Sequence, residues 1–236
     1  MRNLKLLVLT AFFILPKIAF GIVGFGLNVI QDGSKLEGAV NIEETEFGTA
    51  TVESFEMELL PAGLGLYAFV DIAGWGVEIE ANAVGGEYDF EFKQNPIVGD
   101  GFALPKTSFG WARLATGITV KKNIADFSVP LIAKTALSVG VGYSSYKSTP
   151  RASVKMVKSL IGNDLINADA SGLEDKLINY LKDNLDEKGG VHAQLGFRFK
   201  ILVIDTHLNF RYNIAENVYD GSSGFNEVQF KLGMGF

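Results

Sequence analysis

From Ile204 to Ile214 the chain alternates between two chemistries without a break. One set is Ile204, Thr206, Leu208, Phe210, Tyr212 and Ile214. The other is Asp205, His207, Asn209, Arg211 and Asn213. Successive side chains of a strand point to opposite faces, so a period of two is the strand period. A helix would mix both sets around its surface. Each strand of this kind needs one apolar and one polar environment, because unpaired charges cannot enter an apolar core.

The same grammar recurs along most of the chain. Val191, Ala193, Leu195, Phe197, Phe199 and Ile201 face away from His192, Gln194, Gly196, Arg198 and Lys200. Only a residue or two separates this run from the next, which predicts a tight hairpin at 202–203. Trp75, Val77, Ile79, Ala81 and Ala83 oppose Gly76, Glu78, Glu80 and Asn82. Leu64, Leu66, Ala68, Val70 and Ile72 oppose Gly65, Tyr67, Phe69 and Asp71. Leu114, Thr116, Ile118 and Val120 oppose Arg113, Gly117, Thr119 and Lys121. Leu131, Ala133, Leu137, Val139, Val141 and Tyr143 oppose Lys134, Ser138, Gly140 and Gly142. Val23, Phe25, Leu27 and Val29 oppose Gly24, Gly26 and Asn28. Between Gly33 and Leu60 the rhythm is weaker. Counting both runs there gives ten strands and discounting both gives eight; ten is the expectation.

Two architectures use such strands. In a soluble sandwich the apolar faces form a shared core. In a membrane barrel the apolar faces meet lipid and the polar faces line the interior. The runs are about ten residues long, as a tilted membrane-crossing strand requires. The polar faces carry full charges and many glycines, which suits a crowded polar lumen. A Lys or Arg facing lipid at the midplane costs about 2–4 kcal/mol. The orientation is then fixed: Glu78, Glu80, Arg113, Lys134, His192, Arg198, Lys200, His207, Arg211, Glu227 and Lys231 face inward.

The first 21 residues have the form of an export signal. A basic head, "MRNLK", precedes an apolar core, "LLVLTAFFIL", then a breaker and small residues up to Gly21. The core is shorter than the 20 or so residues that a spanning helix needs. The domain expectation is a signal peptide over 1–21 and a barrel over 22–236. Loss of Arg2, Lys5 and Lys17 would leave 18 basic against 27 acidic residues. That balance argues against nucleic-acid binding. With no Cys there is no disulfide, no Cys-based metal site and no lipidated N-terminal Cys.

The last twelve residues are "FNEVQFKLGMGF". Val228, Phe230, Leu232, Met234 and Phe236 make an apolar face that ends on an aromatic. With the alternating strands and the export signal upstream, the chain resembles the outer-membrane β-barrel proteins of diderm bacteria. The resemblance covers the mature chain in pattern and carries no catalytic or binding motif. It implies residence in the outer membrane, contact with outer-membrane lipid, and reading of those five residues by the barrel-assembly machinery.

Placing the C-terminus on the periplasmic side puts 215–224, 148–189 and 93–106 outside. It puts 202–203, 122–129 and the Ala73-Gly74 turn inside. The connection at Pro61 breaks the rule, being external yet very short. Residues 149–188 form an external loop insertion of helical periodicity. Thr149 with Pro150 predicts one helix start, and Val154, Val157, Leu160 and Ile161 share a face. Ser171 and Glu174 form a capping box before Leu173, Leu177, Leu181 and Leu185.

Catalysis is not expected. Asp205 and His207 share a face, like the Asp-His pair of omptin proteases, but sit at the periplasmic rather than the external end. Two histidines with no adjacent nucleophile make no triad. Glu78 and Glu80 share a strand face with bases opposite them, which favours pairing over hydrolysis. No cofactor or metal is implied. The fold expected is an antiparallel transmembrane β-barrel of eight to ten strands with a partly helical external loop. The function expected first is a porin-like passive pore for small or amphipathic solutes; the alternative is a non-enzymatic structural or surface-recognition barrel with a closed lumen, acting through its external helical loop. The inward glycines favour the pore by leaving room.

Overall fold

A computed structural model describes residues 23–45, 48–97, 101–129, 132–161 and 173–236. The expected export signal, and Ser171 of the expected capping box, lie outside them. Ten antiparallel strands are present: β1 (Val23–Asp32), β2 (Ala39–Thr45), β3 (Gly48–Ser54), β4 (Ala62–Ile72), β5 (Trp75–Pro96), β6 (Phe102–Val129), β7 (Ala133–Ser148), β8 (Asp186–Ile201), β9 (Ile204–Ile214) and β10 (Phe225–Gly235). Two helices, α1 (Val154–Ile161) and α2 (Leu173–Asp183), lie between β7 and β8.

Eight of these strands close a ring. β1 pairs on one side with β10 and on the other with β4; β4 pairs with β5, β5 with β6, and β6 through β10 pair in sequence order. Closure can be followed through the register. Val129 faces Ala133, then Ile201, Ile204, Met234, Phe25, Ala68 and Ile79, and the path returns to β6 at Ile118. Residues 129 and 118 differ by eleven, or ten once the one-residue shift between Asn123 and Ala125 is removed. Eight strands with a shear of ten tilt by about 40° and give a backbone radius of about 8 Å. A ring of that size has room for side chains and little else.

Ten strands were expected in the wall, and the wall has eight. β2 and β3 form a hairpin outside the ring. β5 is 22 residues long and changes partner along its length. Its lower half pairs with β4, down from Ala62 opposite Gly85. Its upper half pairs with β3, up from Ser54 opposite Phe90. The weak alternation between Gly33 and Leu60 belongs to this hairpin, whose surroundings are not lipid. The anomaly at Pro61 disappears with it. The connection from β1 to β4 is the whole external excursion 33–61, of which Pro61 is only the last residue. β5 and β6 run on through residues expected to be loop. At about 3.3 Å per residue they carry the sheet roughly 30 Å above the lipid level.

Of the expected inner turns two fall in place and the third does not: 122–129 is strand, paired with β7 as far as Val129 opposite Ala133, and the register shift between Asn123 and Ala125 is what breaks its alternation in the sequence. Ala73 and Gly74 take φ of 52° and 82°, the left-handed pair that a two-residue hairpin demands. The 202–203 turn is equally tight, with Leu202 at φ 52°. The long connections 33–61, 149–185 and 215–224 all leave from the opposite end.

Burial alternates along each wall strand with the phase expected. Leu27, Leu66, Ile79, Ile118, Val141, Phe197, Phe210 and Phe230 present their side chains outward. The residues between them are buried inside the ring. An apolar outer belt around a closed polar interior is the outer-membrane type of transmembrane barrel. No helix among the described residues is long and apolar enough to cross a membrane.

Candidate functional site

The interior below the mouth is built of ions. Glu78 and Glu80, two residues apart on β5, both point into the lumen. Lys231 of β10 reaches both, at 2.5 Å to Glu78 and 2.8 Å to Glu80. Lys121 of β6 adds a second cation to Glu78 at 3.0 Å. Arg211 of β9 bonds Glu80 and lies 3.7 Å from Glu227. Nearer the periplasm Arg198 bonds both Asp71 and Asp205. His207 sits 3.2 Å from Asp205, with its ring edge-on to Tyr67 and Phe69. At the top, Arg113 bonds Asp32 at 2.7 Å and approaches Glu227 at 3.5 Å.

Apart from Asp71, which is half-buried, these groups are buried. Glu78, Lys231 and Asp32 are fully buried, and Glu80, Arg113, Arg198, Arg211 and Glu227 nearly so. A buried charge with no partner costs several kcal/mol, so dense mutual pairing is the condition for such an interior. β5 and β9 are four strands apart on a ring of eight. The Glu80–Arg211 bond therefore spans the full diameter of the lumen.

The glycines do not leave room. A Cβ on Gly24 would meet the Phe69 ring at 2.3 Å, and one on Gly142 would meet His192 Nε2 at 2.4 Å. Each of these inward glycines stands in register beside a large inward side chain of the adjacent strand, which fills the space. The expectation that these glycines open a channel is corrected accordingly.

The remaining inward positions have separate places. His192 lies between Thr119 at 2.8 Å and Ser144 at 3.1 Å, with no carboxylate on it. Asp205 is taken up by Arg198. Neither histidine sits in a catalytic arrangement. Lys134 and Lys200 stand side by side in register at the periplasmic end, Lys200 buried and Lys134 half-buried. Val228, Phe230, Leu232, Met234 and Phe236 all project into the outer belt. Asp32, Asp71 and Lys121 joined the network without being singled out in the sequence. The strand parity that pointed Arg113 inward applies equally to Lys121, and the β1 and β4 parities to the two aspartates.

Above the ions lies a second interior of opposite character. Leu36, Val52, Met57, Tyr88, Phe90, Phe92, Trp111, Val154, Met156, Val157, Val218 and Tyr219 form one buried apolar cluster. It is walled by the upper parts of β3, β5 and β6, and roofed by α1 and the 215–224 loop. α1 starts later than expected. Ser153 is its cap, accepting the Met156 N–H at 3.2 Å. Thr149 instead extends the sheet, trading backbone and hydroxyl bonds with Ala112. Asn41 Oδ1 accepts the Val154 N–H at 3.1 Å, and Lys158 lies 3.3 Å from Glu43, which ties α1 to β2. α2 contributes only half-buried Leu177 and Tyr180 to the cluster.

One layer joins the two interiors. The Arg113 guanidinium lies 5.2 Å from the Tyr146 ring and 4.7 Å from that of Phe225, in cation–π contact with both. The Tyr219 hydroxyl donates to Asp32, and its ring packs 5.2 Å from Trp111. Burial, and then the Asp32 carboxylate, push the Tyr219 phenol far above its ordinary range, so it remains a donor. The 215–224 loop is thereby held down into the mouth.

No family model and no curated protein matches the chain. Among solved structures it is similar to Neisserial surface protein A (8% identity, 92% of this chain and 99% of that one, TM-score 0.41). It is also similar to Ail, the attachment invasion locus protein of Yersinia pestis (10%, 91% and 97%, TM-score 0.36). A third similarity is to the N-terminal β-barrel domain of Pseudomonas aeruginosa OprF (10%, 92% and 99%, TM-score 0.35). The barrel described above rests on its own register and burial.

Proposed function

We propose that the protein is a non-enzymatic, non-conducting surface barrel of the bacterial outer membrane that works through its external head. The export signal over 1–21 would deliver it, and Val228, Phe230, Leu232, Met234 and Phe236 would present it to the assembly machinery. The observation that carries the reading is the Glu80–Arg211 bond across the lumen diameter, set among carboxylates that each have a cation beside them. A solute path would have to break several such pairs at once and leave the survivors buried and alone. The apolar cluster and the 215–224 loop close the mouth above. The porin-like alternative would need these pairs to part and the mouth to open.

Purified protein in planar bilayers is expected to give no conductance steps while its heat-modifiable gel mobility shows an intact barrel. Steady unitary conductance from the folded form would overturn the closed-barrel reading.

A further inference from the structure

The external sheet ends on an open edge. β2 pairs with β3 without interruption from Ala39 opposite Ser54 to Thr45 opposite Gly48. On its other side no strand follows, and among the described residues its backbone bonds to nothing but β3. An edge strand turns about half of its N–H and C=O groups outward, and exposed edges are usually blunted by shortness, charge, Pro or a bulge. β2 has no Pro, Lys or bulge, and its only charges are Glu43, which is taken up by Lys158, and Glu44. Ala39, Val40, Asn41 and Ile42 are all exposed, Val40 at 59% and Ile42 at 61%. Only the inner face, at Asn41 and Glu43, is held by α1.

The segment that carries this edge is predominantly acidic, although Lys158 sits on Glu43 and Lys93 lies beside Glu53. Residues 33–61 contain seven glutamates and a single lysine. Lys35 is already paired with Glu56 at 2.7 Å. On the outward face, Glu44 and Glu53 flank Val40 and Ile42 in the register. A second copy of this edge would bring like charges together. A basic chain would not.

We propose that β2 is a docking edge for an extended, lysine- or arginine-rich segment of a protein partner, which adds to the sheet as its next strand. Main-chain bonds along β2 would supply affinity, and alternate side chains of the segment would meet Val40, Ile42 and the glutamates. The proposal rests on the head being the working part of a closed barrel.

The test uses full-length barrel in nanodiscs and a labelled ten-residue peptide alternating Lys with Val and Thr. Fluorescence anisotropy is expected to show saturable binding. N-methylation of one set of alternate peptide amides should weaken it at least tenfold, and N-methylation of the other set should leave it within about twofold. Strand addition alone produces that alternation. Glu44→Lys with Glu53→Lys should move the preference from this peptide to one with Glu in place of Lys. Equal loss from both methylated peptides would overturn strand addition. So would absence of binding to folded protein, or β2-dependent self-association of the barrel that excludes the peptide. The assay reads the sheet edge and not the lumen, so its failure is separate from that of the closed barrel, which conductance decides.

Discussion

The barrel and the head are stacked on the same strands, yet one is filled with ions and the other with rings. Below Arg113 the buried side chains are Glu78, Glu80, Lys231 and Arg211; above it they are Phe92, Trp111, Met57 and Tyr219. The difference follows from what surrounds each part. In the barrel, lipid takes the apolar faces, so strand alternation delivers polar residues inside. In the head, water takes the outside, and the same alternation reverses: Phe90 and Phe92 turn inward while Glu91 and Lys93 pair at 3.0 Å on the outer face. β5 thus reverses the chemistry of its two faces between Ala83 and Phe90. Gly85 and Gly86 lie at that change, where an added Cβ on Gly86 would press on Met57 at 3.1 Å.

Cohesion should therefore fail differently in the two parts. The largest effect is expected at Arg113, which belongs to both. Arg113→Met would leave Asp32 buried with only the Tyr219 hydroxyl, at a cost of about 3–5 kcal/mol. Adding Asp32→Asn should recover most of that loss, since a neutral amide needs no counter-charge. Urea unfolding in lipid vesicles measures both. If the double variant is as damaged as the single, the pair is not the unit of stability.

Next comes the head core. Phe92 is fully buried between Val52 and Leu104 in register, with the Phe102 ring 6.2 Å away. Phe92→Ala should cost about 3–4 kcal/mol, confined to the head. The two tryptophans separate the regions. Trp111 is buried in the head cluster, and Trp75 lies on the outer belt near the periplasm, under Lys122 at 4.6 Å. In single-tryptophan backgrounds, the Trp111 transition should shift to lower urea while that of Trp75 stays put. A common shift would show one cooperative unit and erase the distinction drawn between the regions.

The same division explains what could be read from the residues alone. The wall strands were legible because lipid imposes a strict rule on every second residue. A single Lys or Arg fixes the phase of a whole strand. The tight turns at Ala73-Gly74 and 202–203 were legible for the same reason, as gaps between phased runs. The hairpin of β2 and β3 was not, because it faces water on one side and the apolar cluster on the other. Its alternation carries Thr51 and Glu53 as readily as Val40 and Ile42. The partner switch on β5 left no local mark either. Nothing within Gly85–Phe90 says that β4 ends and β3 begins. Parity named the inward charges but not their distances, and it is distance that turns Glu80 and Arg211 from lining residues into a bond between opposite walls of the lumen. The glycines misled for a related reason: a missing side chain reads as space until the large residue opposite, Phe69 or His192, is known.

The smallest of these effects concerns the layer between the two interiors. Tyr219→Phe keeps the ring against Trp111 and Phe225 and removes only the hydroxyl bond to Asp32. Hydrogen bonds to charged groups contribute about 1.5–3 kcal/mol, and Asp32 keeps Arg113, so about 1–2 kcal/mol is expected. The effect should be local, seen as roughly tenfold faster cleavage of the 215–224 loop by an alkaline serine protease, with both tryptophan transitions little moved. The phenol also sets a pH dependence. Its folded-state pKa is raised above the unfolded value of about 10. The hydroxyl's contribution is therefore whole below about pH 10 and declines as the pH rises above it. The wild-type loop should become more cleavable above pH 10, relative to an unfolded control, and the Phe variant should not. Parallel profiles for the two proteins would mean that the loop is held by its apolar contacts alone, and that the ionic and apolar interiors meet there without being coupled.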